Sequence, residues 1–365
     1  MRIGREAMGT ELADFLRRQI RQTGPMTVAE WMALCLGHPR HGYYMTRDPL
    51  GAAGDFTTAP EISQMFGELL GLWAAQCWLQ SGQPDPVHLV ELGPGRGTLM
   101  ADALRATRRV PGFHQALRVH LVETSHTLRE RQRQTLAGVE VTWHDRLAEV
   151  PAGPLLLLAN EFIDALPIRQ FERTTRGWAE RKVGLDEEDS FTFLLDPRPG
   201  DTLVPPALRN ADIGAVVEIC PAGQAVAREA GERLAAHGGA ALFIDYGYAG
   251  PSAGDTLQAM RGHAYAPLLE APGEADLTAH VDFTALAEAA RAGGAKSWGP
   301  VEQGSLLQSL GIAHRAASLK RVAAPDQADG IDAALDRLTG DAGMGRLFKA
   351  LAVTGPDTSA PAGFE

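Results

Sequence analysis

Leu89-Val90-Glu91-Leu92-Gly93-Pro94-Gly95-Arg96-Gly97-Thr98 ends an apolar run on a carboxylate and then turns through three closely spaced glycines. Glycine is needed where the backbone takes positive φ or passes within contact distance of a ligand. The stretch therefore predicts a strand-to-helix turn bearing a bulky polar metabolite, with a generic tight turn as the alternative. A dinucleotide-binding turn wants G-x-G-x-x-G with an acidic residue about 20 positions further on. Here Gly93, Gly95 and Gly97 give G-x-G-x-G, and Thr98 stands where the third glycine is expected. The dinucleotide reading is disfavoured.

Downstream, apolar strands alternate with helices, the pattern of a mostly parallel sheet covered on both faces. Expected strands are Val87–Leu92, Leu117–Glu123, Val139–His144, Leu155–Asn160, Ala240–Asp245, Ala295–Val301 and Lys349–Thr354. Glu91, Glu123, Asp145 and Asp245 fall at or just past the carboxyl ends of four of the first five, and the remaining one runs into Asn160-Glu161. In open α/β sheets the ligand crevice lies outside those ends, so all these polar groups are expected on one rim. The long interval between Glu161 and Asp245 holds alternating apolar residues from Phe171 to Phe193, read as an inserted antiparallel β-meander at about 167–217. A helix at about 222–236 follows, and a helical insertion is expected at about 303–345.

Upstream, residues 1–85 read as a helical extension covering the site, ahead of a core at 86–365. Leu12, Phe15, Leu16 and Ile20 recur at helical spacing. Thr27-Val28-Ala29-Glu30 and Thr58-Ala59-Pro60-Glu61 each have capping-box form, the second expected to open an apolar helix through Trp73 and Trp78.

Composition bounds the function. Charged residues are 22% and hydrophobic residues 45%, which suits a soluble globular enzyme. A formal net charge of -11 speaks against a nucleic-acid partner, which needs a basic face. Cys35, Cys77 and Cys220 are scattered, so a reducing compartment is expected and no metal site. No apolar run is long enough to span a bilayer, and no signal-peptide or mitochondrial presequence pattern is evident. The expectation is a cytoplasmic protein without membrane insertion; its oligomeric state is left open.

The spacing E-x-G-x-G-x-G resembles the first motif of class I methyltransferases, which bind S-adenosylmethionine (SAM). On that resemblance Glu91, Gly93, Pro94, Gly95 and Gly97 form the cofactor turn. Glu91 either orders it or meets the methionine ammonium through water. Glu123 would accept the two ribose hydroxyls, a solvated strand-end charge being the bland reading. Asp145 would reach the adenine amino group, or else cap a helix. Asn160-Glu161-Phe162-Ile163-Asp164 concentrates two carboxylates and an amide straight after a buried strand, a costly grouping unless a ligand satisfies it. A guanidinium suits it, because carboxylates bind that planar fork in bidentate fashion; acids gathered at a helix dipole are the alternative. Asn160, Glu161 and Asp164 are the candidate catalytic residues. Gly54–Ser63, with Thr57 and Thr58, would cover the cofactor. His280 would close the pocket and Asp245-Tyr246-Gly247 would wall it, while His263 and Tyr265 are weaker candidates.

Taken together, GDFTTAPEIS (54–63), ELGPGRGTLM (91–100), NEFIDALP (160–167), FIDYG (243–247) and LTAHVDF (277–283) resemble the MidA-like SAM-dependent methyltransferases, which include the mitochondrial assembly factor of respiratory complex I. The resemblance implies a class I core with family-specific insertions. For the mitochondrial members it implies symmetric dimethylation of an arginine in a complex I subunit; the Ala/Gly/Arg-rich composition points to a bacterial member. Methyl transfer from a sulfonium is an in-line displacement, so alignment of acceptor, methyl and sulfur is what the enzyme must supply, worth on the order of 7–11 kcal/mol. Rival readings are a nucleotide-dependent oxidoreductase, a non-catalytic SAM-binding assembly factor and a small-molecule methyltransferase.

Overall fold

The computed structural model describes residues 10–46, 57–200 and 202–365. The Gly54–Phe56 part of the expected cover lies outside them. The chain divides into two compact units.

The larger unit holds the described residues of 57–164, 222–250 and 280–365. Its seven principal strands are β1 (Val87–Leu92), β2 (Leu117–Val122), β3 (Val141–His144), β4 (Leu155–Asn160), β5 (Gly239–Tyr248), β6 (Lys296–Glu302) and β7 (Phe348–Thr354). They lie side by side in the order β6-β7-β5-β4-β1-β2-β3. Neighbours from β5 to β3 run parallel, while β7 is antiparallel to both β5 and β6. Every residue of β1 and β4 is buried, which is why both are mostly apolar, with His88, Glu91 and Asn160 as their polar residues. The chain moves outward from β1 through β2 to β3, then returns to lay β4 on the other flank of β1. That reversal is the topological switch point of the sheet, and a ligand crevice opens there, outside the carboxyl ends of β1 and β4.

Helices pack closely onto this sheet. α1 (Ala59–Ile62) and α2 (Gln64–Gln80) precede β1, α3 (Thr98–Thr107) follows it, and α4 (His126–Thr135) follows β2. A Cβ on Gly71 of α2 would fall 2.5 Å from Ala103 Cα of α3, so glycine permits this helix pair to touch. Buried Glu68 joins the packing by pairing with Arg105 and Arg315. Residues 303–345 are largely helical, with helices at Gln303–Ser309, Ile312–Lys320 and Pro325–Thr339.

The smaller unit holds the described residues of 10–46, 165–221 and 251–279. Strands Arg169–Thr174, Gly177–Leu185 and Phe191–Pro199 form an antiparallel meander, to which Val216–Ile219 returns. Phe171, Trp178, Val204 and Val217 make its small core. The two-residue strand Met26–Thr27 pairs with Lys182 and Val183, and a further three-stranded sheet occupies Gln258–Arg261, Ala264–Ala266 and Asp276–Thr278. The described residues of 1–85 are thus shared between the units, because α2 is fastened to α3 of the sheet unit.

One capping box forms as expected. Thr27 Oγ1 accepts the Glu30 amide at 3.1 Å while Glu30 accepts the Thr27 amide. The other does not. Thr58 makes no side-chain cap, and its helix stops after one turn at Ile62. Glu61 instead accepts the Thr98 hydroxyl at 2.5 Å, drawn to the start of α3, and α2 is capped by Ser63, whose hydroxyl accepts the Met65 amide.

Candidate active site

The glycine turn follows β1 directly. Gly93, Gly95 and Gly97 have φ of +59°, +52° and +82°, the left-handed region that glycine adopts without penalty. A Cβ on Gly93 would lie 2.8 Å from Phe162 Cδ2, so two strand ends meet here at contact distance. Glu91 is buried and accepts the Met100 amide in the first turn of α3, while its Oε2 is buried without a partner. Desolvation pushes its carboxyl up to about 8, helped by nearby Glu123.

Glu123, just past β2, is buried; its Oε1 accepts the Ser125 amide at 2.8 Å, and burial raises its pKa. Asp145, just past β3, is exposed rather than buried. Its side chain is 66% exposed and ion-paired with Arg129 at 2.5 Å.

Across the switch point, β4 ends on Asn160. Leu92 pairs with Ala159, so Asn160 stands one residue beyond, level with the glycine turn. Its Nδ2 donates to Glu161 Oε1 at 3.0 Å, and its Oδ1 is buried without a partner. Glu161 has φ +49°, a strained backbone for a side chain of its size. It also accepts the Ala59 amide at 2.9 Å, and desolvation pushes its carboxyl up to about 7. Asp245 on β5 accepts the amides of Ile163 and Asp164 at 3.0 and 3.1 Å. Burial and the adjacent Asp164 and Glu161 raise its pKa. The Tyr246 hydroxyl donates to Asp164 Oδ2 at 2.6 Å, and the Tyr246 ring meets His280 edge-on at 5.4 Å.

The structure thus brings together Glu91, the 93–97 turn, Glu123, Asn160, Glu161 and Asp164, with Asp245, Tyr246 and His280 behind them. Thr57 and Thr58 lie just before α1, the Thr57 carbonyl accepting from Arg337. His263 and Tyr265 belong to the small sheet of the other unit, where Tyr265 is exposed. Sequence reasoning missed Gln132, a fully buried residue of α4 whose side chain touches the turn and Glu123. It placed Glu61 in a capping box and in the expected cover, but did not foresee Thr98 as its partner. Gln132 carries no motif, and both residues act through tertiary neighbours.

The partnerless atoms Glu91 Oε2 and Asn160 Oδ1 lie on adjoining strands; the amide oxygen is an acceptor, and the carboxyl oxygen becomes one when Glu91 ionises. A buried acceptor without a donor is costly. A ligand offering N–H groups and positive charge fits them, and the sulfonium and ammonium of SAM supply both. Sheet order, turn and buried acids together define a class I SAM-dependent methyltransferase.

The comparisons agree. Residues 69–301 match the model of a family described as "S-adenosyl-L-methionine-dependent methyltransferase", and the chain belongs to that family. The chain is 42% identical to "Protein arginine methyltransferase NDUFAF7, mitochondrial" of Mus musculus, over 83% of its own length and 74% of that protein. With the Homo sapiens protein of the same name the identity is 39% at the same coverage. A Burkholderia thailandensis structure bound to S-adenosyl-homocysteine (SAH) superposes with TM-score 0.86 at 31% identity, covering 100% of this chain and 97% of that one. A native structure of a protein of the same superfamily and organism gives 0.82 at 32% identity, with the same coverage. The protein is a SAM-dependent methyltransferase.

Proposed function

We propose that the chain methylates an arginine nitrogen of a protein, with a respiratory complex I subunit or a similar protein as acceptor. One observation carries the reading. Glu161, Asp164 and Asp245 crowd together beside the switch point, and burial and mutual repulsion hold Glu161 and Asp245 above the usual carboxylate range. A guanidinium placed there would let the carboxylates ionise and would engage them through its planar set of donors. The arginine-methyltransferase names of the relatives support the same class of acceptor.

In this reading Glu91, Asn160 and the 93–97 turn hold the methionine end of SAM, and Glu123 takes the ribose hydroxyls. Asp145 stands at the adenine edge, with Arg129 as its competing partner. When bound, SAM supplies an electrophilic methyl group on a sulfonium. Asn160, Glu161 and Asp164 align the acceptor nitrogen with it. Arginine stays protonated in proteins, so the carboxylates act by localising charge on the non-reacting nitrogens, freeing the lone pair of the third. One carboxylate takes the proton that this nitrogen sheds as its bond to the methyl carbon forms and the carbon–sulfur bond breaks. Part of the expected N-terminal cover takes part: α1 gives the Ala59 amide to Glu161 and Glu61 to Thr98. No helix among the described residues is long and apolar enough to cross a membrane.

The test is transfer from methyl-labelled SAM into an extract of cells lacking the protein, followed by hydrolysis and amino-acid analysis. Label in methylarginine, lost with Glu161→Gln while SAH still binds, is the expected result. Label in lysine or in small molecules would overturn the acceptor assignment, and unchanged turnover would remove Glu161 from the chemistry.

A further inference from the structure

We propose that Gln132 is a positioning residue for the nucleoside half of the methyl donor, tying the glycine turn to the carboxylate that meets the ribose. This rests on the reading of Glu123 as the ribose acid. Gln132 is fully buried on α4, in the interior of a helix otherwise rich in surface residues. Chemistry fixes which way its amide faces. The Trp143 indole N–H can only donate, so Gln132 Oε1 must be the atom that meets it at 2.8 Å. The NH2 group is thereby turned onto two acceptors, the Gly95 carbonyl at 2.8 Å and Glu123 Oε2 at 3.2 Å. One side chain therefore links β3 to the loops that follow β1 and β2.

Two consequences follow for the ligand. Across a planar trans peptide the carbonyl and the next N–H point in opposite directions. Holding the Gly95 carbonyl toward α4 therefore presents the Arg96 N–H on the side away from α4. In addition, Gln132 on Oε2 and the Ser125 amide on Oε1 fix the plane of the Glu123 carboxylate. Two neighbouring hydroxyls require such a fixed plane to be gripped together. The cost of orienting turn and carboxylate is met on folding rather than on binding.

The test is calorimetry on the full chain with SAH, adenosine and 2′,3′-dideoxyadenosine, comparing wild type with Gln132→Met, Gln132→Glu, Glu123→Gln and the double variant Gln132→Met/Glu123→Gln. Gln132→Met keeps the volume and removes the polar groups; Gln132→Glu keeps an acceptor for Trp143 and removes the NH2 donor. Each is expected to weaken SAH about tenfold or more, as loss of a hydrogen bond to a charged group does. Each should also shrink the preference for adenosine over its dideoxy analogue, and the double variant should bind no more weakly than its worse parent. If Gln132→Met fails to fold, Gln132→Glu carries the test. Folded Gln132 variants that bind SAH within about twofold of wild type, or strictly additive losses in the double variant, would overturn the proposal and leave the ribose assignment standing. Equal wild-type binding of both nucleosides, with full affinity in Glu123→Gln, would instead overturn the ribose assignment and the proposal with it.

Discussion

The Tyr246 hydroxyl donates a 2.6 Å hydrogen bond to Asp164 Oδ2, binding the end of β5 to the loop that leaves β4. The preceding residue, Asp245, holds the same loop through two amides. Because the bond is charge-assisted, it fixes the Asp164 carboxylate more firmly than a neutral pair would. Tyr246→Phe keeps the ring against His280 and Phe348 and removes only the donor. Turnover is expected to fall about tenfold, with SAH affinity within about twofold of wild type. Labelled methyl transfer beside calorimetry checks both, and a matching loss of SAH affinity would place Tyr246 in the donor site instead.

Glu91 makes donor binding depend on pH. With its carboxyl pushed up to about 8, it is largely protonated at pH 6.5 in the free protein. A cationic ligand favours the ionised form, so SAM binding should release protons and tighten as pH rises from about 6.5 to 8.5. Glu91→Gln should flatten that dependence. Titrations in two buffers of different ionisation enthalpy count the protons, and proton uptake on binding would contradict the assignment.

Gly93 is fixed by both conformation and space. Gly93→Ala puts a side chain at φ +59° and a Cβ 2.8 Å from Phe162. Strained backbone of this kind costs about 1–3 kcal/mol. A lower melting temperature and SAH binding weakened at least about tenfold are expected. Gly93→Ala combined with Phe162→Leu, which relieves the clash but not the φ, should recover only part of the loss.

A chain of three histidines crosses β1, β2 and β3, and its protonation is expected to weaken the fold in acid. His88 Nδ1 lies 2.9 Å from His120 Nε2, and His120 Nδ1 lies 3.0 Å from His144 Nε2. His88 also hydrogen-bonds the Ala152 backbone, which takes its remaining nitrogen as donor. Each ring then carries its proton on Nε2, and His88 and His120 accept on Nδ1 from the next ring in the row. Burial lowers all three pKa values, His120 to about 4. The unfolded chain takes up protons near 6.5 that the folded one refuses. Stability is therefore full above that pH and lost as pH falls toward 4, with His120 alone contributing on the order of 3 kcal/mol. Denaturant titrations from pH 7.5 to 4.5 should show the loss, and His120→Asn should remove much of its slope.

Raised carboxylates act with the opposite sign. Glu161, near 7 in the folded chain, holds a proton between about 4.5 and 7 that the unfolded chain has lost, so its contribution fades as pH rises through that window. Glu161→Gln should raise the melting temperature of the ligand-free protein at pH 8 and leave it nearly unchanged at pH 5. Destabilisation at pH 8 would show that the carboxylate is satisfied without a ligand.

Much of this site was legible in the sequence because its strands are buried on both faces. Val87–Leu92 and Leu155–Asn160 appear as apolar runs with polar ends, and those ends are the rim. The glycines declared the turn through their backbone freedom. What stayed hidden depends on tertiary neighbours. Glu61 has capping-box spacing, yet Thr98 of another helix captures it. Asp145 follows a strand as the acids do, but that strand is only partly buried and its exposed acid is taken by Arg129. Gln132 looks like one more polar residue on a charged helix until the sheet is seen to cover it. Met26–Thr27 is too short to declare itself as a strand.

The most direct measurement is a crystal structure of the SAH complex. The homocysteine amino group is expected, directly or through one water, on Glu91 Oε2 and Asn160 Oδ1, with the ribose hydroxyls on Glu123. Density for SAH away from the 93–97 turn, with both of those oxygens still lacking a donor, would contradict it.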